Sequence, residues 1–154
     1  MIHIKSSSTA DTRTCDWSKV TKDTLLESSR SHISDVVKAL ESFREMLDNS
    51  AKVHDFDKVS DNGIEEFYND FKTGFSRTVW WDNHRIVNRH HLQMADGVPD
   101  DVNLIDVLEM VADCVMAGMA RSGSVYKVEI PDSVLRRAFD NTVELLKNSV
   151  VVDP

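Results

Sequence analysis

The sequence predicts an all-α protein, a single-domain bundle of about five helices, and three observations carry that reading. Its 154 residues are the length of one domain, able to bury about two thirds of the unfolded surface without disulfides or a structural metal. A composition of 41% hydrophobic and 29% charged residues with 5 Gly and 3 Pro excludes collagen-like, low-complexity and wholly disordered chains. Most of the length then falls into long segments whose apolar residues recur at helical spacing, with no internal repeats.

Residues 1–16, rich in Ser, Thr and Asp, read as a loose lead-in with a short strand at Ile2 to Lys5, ahead of a helical domain at 17–150. From about Thr21 to Ser50, Leu25, Val36, Leu40, Phe43 and Leu47 recur at helical spacing, and Ile33 and Val37 widen the stripe, so a long helix is expected. A break around Asn49 to Val59 precedes a second helix, capped by Ser60, Asp61 or Asn62, with Ile64, Phe67, Tyr68 and Phe71 on its apolar face and Gly74 at its end. The stretch TVWWDNHRIVNRHHLQMADGVPDD mixes bulky aromatics with three histidines and closes in an acidic loop; its pattern selects no one secondary structure. From about Val102 to Arg121, NLIDVLEMVADCVMAGMAR is apolar on nearly every side of a helix, the pattern of a central buried one. After an extended piece at Val125 to Ile130, Pro131 and Asp132 open a terminal helix that turns Val134, Leu135, Ala138, Leu145 and Leu146 inward.

Acidic residues outnumber basic ones 26 to 18, a formal charge of −8, so the net field opposes a polyanionic backbone and argues against genomic DNA as a partner. No run of about 18 apolar residues is present and the amino terminus lacks the apolar segment of a secretory signal, so no membrane association and a cytoplasmic location are expected. Cys15 and Cys114 have unlike contexts and no metal-type spacing, which makes both free thiols. Methionines and exposed aromatics are compatible with a homodimer, although six Met also suit ordinary core filling.

The residues able to carry chemistry begin with His32. At about 100° per residue from Leu25 it falls between Leu25, Val36 and Phe43 on the inward stripe, and so points into the core. A lone core imidazole is most often satisfied by a backbone carbonyl, but five of the six histidines fall between positions 32 and 91. On the central helix Asp106, Glu109 and Asp113 share one stripe, and no basic residue appears on that helix before Arg121. Asp106 and Glu109 near the helix start suit a solvated edge; Asp113, three turns in, suits it less. Any that is buried needs a cation from elsewhere in the fold, whether arginine, histidine or metal. His54 and Asp55, adjacent in HDFDK, can both reach one ion, and Lys58 one turn on can sit near an anionic substrate. Arg77, Arg85 and Arg89 flank the histidine cluster and have the bidentate geometry that holds phosphate, while Trp80 and Trp81 can form a wall for a nucleobase or pack in the core.

This order resembles the HD superfamily of metal-dependent phosphohydrolases, in which a histidine, a His-Asp pair and a distant aspartate lie on successive helices. The resemblance covers roughly residues 25–120 and implies His32, His54, Asp55 and Asp113 as ligands of a first divalent metal, with HDFDK matching the family's His-Asp-x-x-Lys segment. Binuclear members add histidines in the interval that here holds His84, His90 and His91, which implies a second metal, with only one of His90 and His91 a ligand. The segment from His84 to NLIDVLEMVADC, with the later FDNTVELL, is also similar to short, largely uncharacterised proteins common in bacteriophage genomes, which would place the chain in a host cytoplasm. Phe56 and Asp57 stand where the superfamily usually has small residues.

The resemblance therefore implies a hydrolase using one or two divalent ions, Mn, Mg, Zn, Co or Fe, to cleave a phosphate ester or anhydride of a small nucleotide. Asp55 would hold the nucleophilic side, Glu109 or Asp106 would carry protons, and Lys58, Arg85 and Arg89 would bind the phosphate. Three alternatives stand beside it: a di-iron oxygenase of the same fold, an all-α pyrophosphohydrolase that would leave the histidines idle, and a non-catalytic nucleotide- or partner-binding phage protein.

Overall fold

The structure, a computed structural model, describes residues 1–7, 15–76 and 79–154. Among these, five α-helices carry most of the chain: α1 (Lys22–Val53), α2 (Asp61–Lys72), α3 (Val79–Val87), α4 (Leu104–Ser122) and α5 (Asp132–Ser149). The strands β1 (Ile2–Lys5) and β2 (Val150–Asp153) complete an all-α architecture. No helix among the described residues is long and apolar enough to cross a membrane. Cys15 and Cys114 are free. Arg77 and part of the polar lead-in lie outside the described residues.

The backbone divides into two compact units, one of Met1–Glu45 with Glu144–Pro154, the other of Met46–Val143. In the first, β1 and β2 run parallel with Ile2 opposite Val150 and Lys5 opposite Asp153. The expected strand at Ile2 forms, and its partner is a four-residue tail that the terminal helix masks in the sequence. Lys38 ties α1 to β1 by donating from Nζ to the carbonyl of His3 at 2.8 Å. The helical spacing in 21–50 does yield a helix, but His32 is exposed rather than inward, and so are Leu25, Val36 and Leu40. Periodicity reports that a face is apolar without reporting what covers it. Among the described residues, α1 up to Glu45 shares its unit with the two strands, a short turn at Trp17–Lys19 and the last turns of α5.

The second unit is built on Leu92, Val102, Met110 and Ala138, with Val98, Val107, Cys114, Val128 and Val134 packed around them. Thr142 on α5 latches the start of α4, accepting the Leu104 N–H at 2.9 Å while donating to the Ala138 carbonyl at 2.7 Å. Asn103 and Asp106 close α4 with a reciprocal capping box, which satisfies two backbone donors that a helix start leaves orphaned. α4 is not buried all round: Leu108, Met116 and Met119 are exposed, and Asp106, Met110 and Gly118 are its buried residues. Asp106 rather than Asp113 is thus the deepest of the three acids, because the cap and an arginine partner compensate it there.

α2 starts as expected on Ser60, whose hydroxyl accepts the Gly63 N–H, and its chain reverses through Gly74 and Phe75, both at positive φ. Its apolar face is less covered than the spacing implied: Ile64, Tyr68 and Phe71 are exposed, and half-buried Phe67 stacks on Trp80 with centroids 4.4 Å apart. Asp70 of α2 caps α3 across space, its Oδ2 accepting the N–H groups of Trp80 and Trp81 at 3.1 and 3.2 Å, where a helix start favours negative charge. Gly63 admits a close approach, since a Cβ there would meet the Asp57 carbonyl oxygen at 1.8 Å. That contact seats α2 against the turn that carries the site below.

Candidate metal centre

α1 ends at Val53, and two residues later Asp55 adopts a left-handed conformation, φ 51° and ψ 29°. Aspartate tolerates this region better than most residues, and the resulting sharp turn leads straight into a 3-10 turn at Phe56–Val59. His54, Asp55, Asp57 and Lys58 are in this way gathered at one helix end. α3 contributes His84, the turn after it His90 and His91, and α4 contributes Glu109 and Asp113 from one face, a helical turn apart.

These residues form two groups of atoms that could hold a metal ion and that share Asp55: His54, Asp55 and His90 in one, and Asp55, His84 and His91 in the other. In the first, the Nε2 atoms of His54 and His90 lie 3.5 and 3.6 Å from Asp55 carboxylate oxygens and 3.9 and 4.0 Å from those of Asp113. In the second, His84 Nε2 is 3.4 Å from Asp55 Oδ1 and 2.9 Å from His91 Nε2. Donors sharing one ion at bond lengths of about 2.1 Å sit roughly 3.0–3.4 Å apart, so most of these spacings are within a few tenths of an ångström of what a cation requires.

A second row of carboxylates orients the rings. Glu109 Oε1 lies 2.8 Å from Nδ1 of His54 and 2.9 Å from Nδ1 of His90, and its other oxygen accepts from the Ser50 hydroxyl. Asp57 does the same for His84, its oxygens 2.8 and 3.0 Å from Nδ1, and is itself held by Asn88 Nδ2 at 2.9 Å. A carboxylate that accepts the Nδ1 proton leaves the Nε2 lone pair free, the arrangement typical of metal-ligating histidine. The rings of Trp80 and Trp81 stack on His84 with centroids at 4.7 and 5.4 Å and hold its plane.

At the shared point Asp55 Oδ1 and His90 Nε2 are buried with no hydrogen-bond partner, and His90 Nδ1, although 2.9 Å from Glu109, is likewise without one. Orphaned acceptors of this kind are rare because each costs free energy, and a lone pair facing a carboxylate is relieved by a cation between them. Electrostatics agree with ligand-ready groups. Burial lowers the pKa of His84, and burial together with the neighbouring His90 and His84 lowers that of His91 to about 3. Burial would raise Glu109, but His90 beside it and the Ser50 and His54 donors hold it at about 2. Burial would likewise raise Asp55, whose carboxyl the Lys58 ammonium, 2.5 Å from Oδ2, keeps below its usual range.

Of the residues singled out from sequence, His54, Asp55, Lys58, His84, His90, His91, Glu109 and Asp113 converge, with both His90 and His91 taking part. His32 lies in the other unit, and neither group includes it. Arg89 is engaged by Asp106, with Nε and Nη2 at 2.8 and 2.9 Å, and by Asp101 at 3.0 Å. Arg85 pairs with Asp82 and Asp96 at 2.7 and 2.8 Å, but its Nε is buried without a partner. Sequence reasoning missed Asp57, Asn88 and Ser50. The one signal for them was Asn88, four residues after His84 and therefore on its face of a helix.

A cavity of about 600 Å³ opens beside Asp55 and His91, walled by Phe71, Phe75, Trp81 and Tyr126 and bordered by Lys58 and Arg85. Another, of about 520 Å³, is lined largely by apolar groups such as Leu47, Leu108 and Met116 and reaches His54 and Asp113. No curated protein and no solved structure matches the chain. A family model does, over residues 21–149, a span that takes in all five helices and every residue of the centre, and the chain belongs to that family of unknown function, DUF5662.

Proposed function

We propose that the chain is a metal-dependent phosphohydrolase acting on a small nucleotide, in line with its resemblance to the HD superfamily. The observation that carries the reading is the pair of orphaned atoms, Asp55 Oδ1 and His90 Nε2, at the meeting point of three imidazoles whose Nδ1 atoms are backed by carboxylates. His54, His90, Asp55 and Asp113 would hold one divalent ion, and Asp55, His84 and His91 a second. When bound, such ions lower the pKa of water and polarise a phosphoryl oxygen.

The remaining chemistry belongs to the chain's own residues. Glu109 accepts the Nδ1 proton of His54 and lies 2.9 Å from Nδ1 of His90, and Asp57 accepts that of His84, so both act as positioning residues rather than proton carriers. Lys58, beside Asp55 at the cavity border, neutralises negative charge on the phosphate. The unpartnered Nε of Arg85 offers a donor from the same border, whereas Arg89 serves the fold through Asp106. Trp81 and Phe75 present ring faces to a flat base, and the exclusion of water by this aromatic wall strengthens each charge interaction beside it.

Protein loaded in turn with Mn, Co, Mg or Zn should release phosphate or a nucleoside product from a panel of mononucleotides and cyclic dinucleotides. His54→Ala and His84→Ala should each lower that rate by on the order of a hundredfold or more. A fully metal-loaded protein that turns over no member of the panel contradicts the assignment. A second reading, a di-iron oxygenase, draws on the same nitrogen-rich donor set of four imidazoles to two carboxylates. Oxygen consumption by iron-loaded protein without phosphate release would select it.

A further inference from the structure

We propose that α1 pairs with α1 of a second copy of the chain as a short antiparallel coiled coil. Leu26, Ile33, Leu40 and Leu47 recur at intervals of seven along this 32-residue helix, and Val37 lies on the same seam. A helix lying on a globular core follows a period of 3.6, whereas a strict seven-residue repeat is the complement of a like helix wound around it. The seam is open: Leu26 is 45% exposed, Ile33 62%, Val37 48% and Leu40 60%. With Leu47 and the flanking Val36, these side chains leave on the order of 550 Å² of apolar area per chain, toward the roughly 800 Å² that each partner contributes to a stable interface.

Charge identifies the occupant and its direction. The chain as a whole carries −8, but α1 holds five basic and six acidic residues, so two copies of this helix meet without the repulsion that the rest of the surface would impose. Two seam positions are arginines, Arg30 and Arg44. A parallel pair in register would set each against its own copy and bury like charges. An antiparallel pair centred near Asp35 instead sets Ile33 against Val37 of the second copy. It also brings Arg30 beside Leu40 and Glu41 of the second copy, and Arg44 beside Leu26, Asp23 and Glu27 of the second copy. Arginine stems can then lie along the seam with their heads at the acids on its edge.

Sedimentation equilibrium of the full chain tests this. Over roughly 1–100 μM the protein should sediment at twice its 17.5 kDa chain mass. Ile33→Glu and Leu40→Glu should each weaken dimerisation by on the order of a hundredfold while leaving the helical circular dichroism unchanged, since both positions face solvent in one chain. For direction, with Cys15 and Cys114 changed to Ser, cysteines introduced together by Leu26→Cys and Arg44→Cys, which face one another across an antiparallel seam, should cross-link under mild oxidation, and Leu26→Cys alone should not. A monomer throughout the range overturns the proposal. So does a dimer indifferent to both glutamates, which would use another face, or a glutamate variant that unfolds, which would mean the seam is covered within one chain. Cross-linking by Leu26→Cys alone overturns the antiparallel arrangement.

Discussion

Asp55 combines a left-handed backbone with a carboxylate common to both groups of candidate ligating atoms, and residues at such sites depend on neighbours that over-determine them. Asp57, two positions on, supplies part of that support by fixing His84. Asp57→Asn keeps the size but removes the charge behind the imidazole, so affinity for the metal held through His84 should fall about 10–100-fold in a chelator competition titration. A purely structural role for Asp57 would change stability and leave that affinity alone. The His54-Asp55 pair was legible in the sequence because the two candidate ligands are adjacent, whereas Asp57 and Asn88 were not, since a second-row partner has no required spacing. His32 differs from its expected place for another reason: the apolar stripe beside it is itself exposed.

At the scale of elements, the long periodic segments were readable and the short ones were not. α1, α2, α4 and α5 form where helical spacing and caps indicated, whereas the nine residues of α3 complete too few turns to establish a period against their aromatic content. β2 follows α5 without a break and is visible only through its pairing with β1. The acid stripe on α4 was sound physics with the details withheld. Partners had to come from elsewhere, and Arg89 meets Asp106 while His54 and His90 lie beside Glu109. Which acid would be deepest depended on where Arg89 lay in space, and that is information the helix itself does not contain.

At the scale of the molecule, the centre couples stability to pH. His84 and His91 are held neutral in the folded chain by pKa values lowered from 6.5, that of His91 to about 3, while in the unfolded chain they protonate at ordinary values. The unfolded state therefore binds more protons below about pH 6.5, and metal-free protein should lose stability as pH falls through that point. Glu109 adds to the loss below its ordinary 4.5, continuing toward its folded value of about 2. Urea midpoints measured with chelator present should drop between about pH 7 and pH 5; midpoints that stay level would mean these imidazoles are not held neutral.

The most direct measurement is metal stoichiometry by elemental analysis of the reconstituted, desalted protein. Two divalent ions per chain are expected, falling to one in His84→Ala, which spares His54, His90 and Asp113. A wild-type chain that retains no ion, or a His84→Ala variant that retains as many as the wild type, would contradict a binuclear centre shared at Asp55.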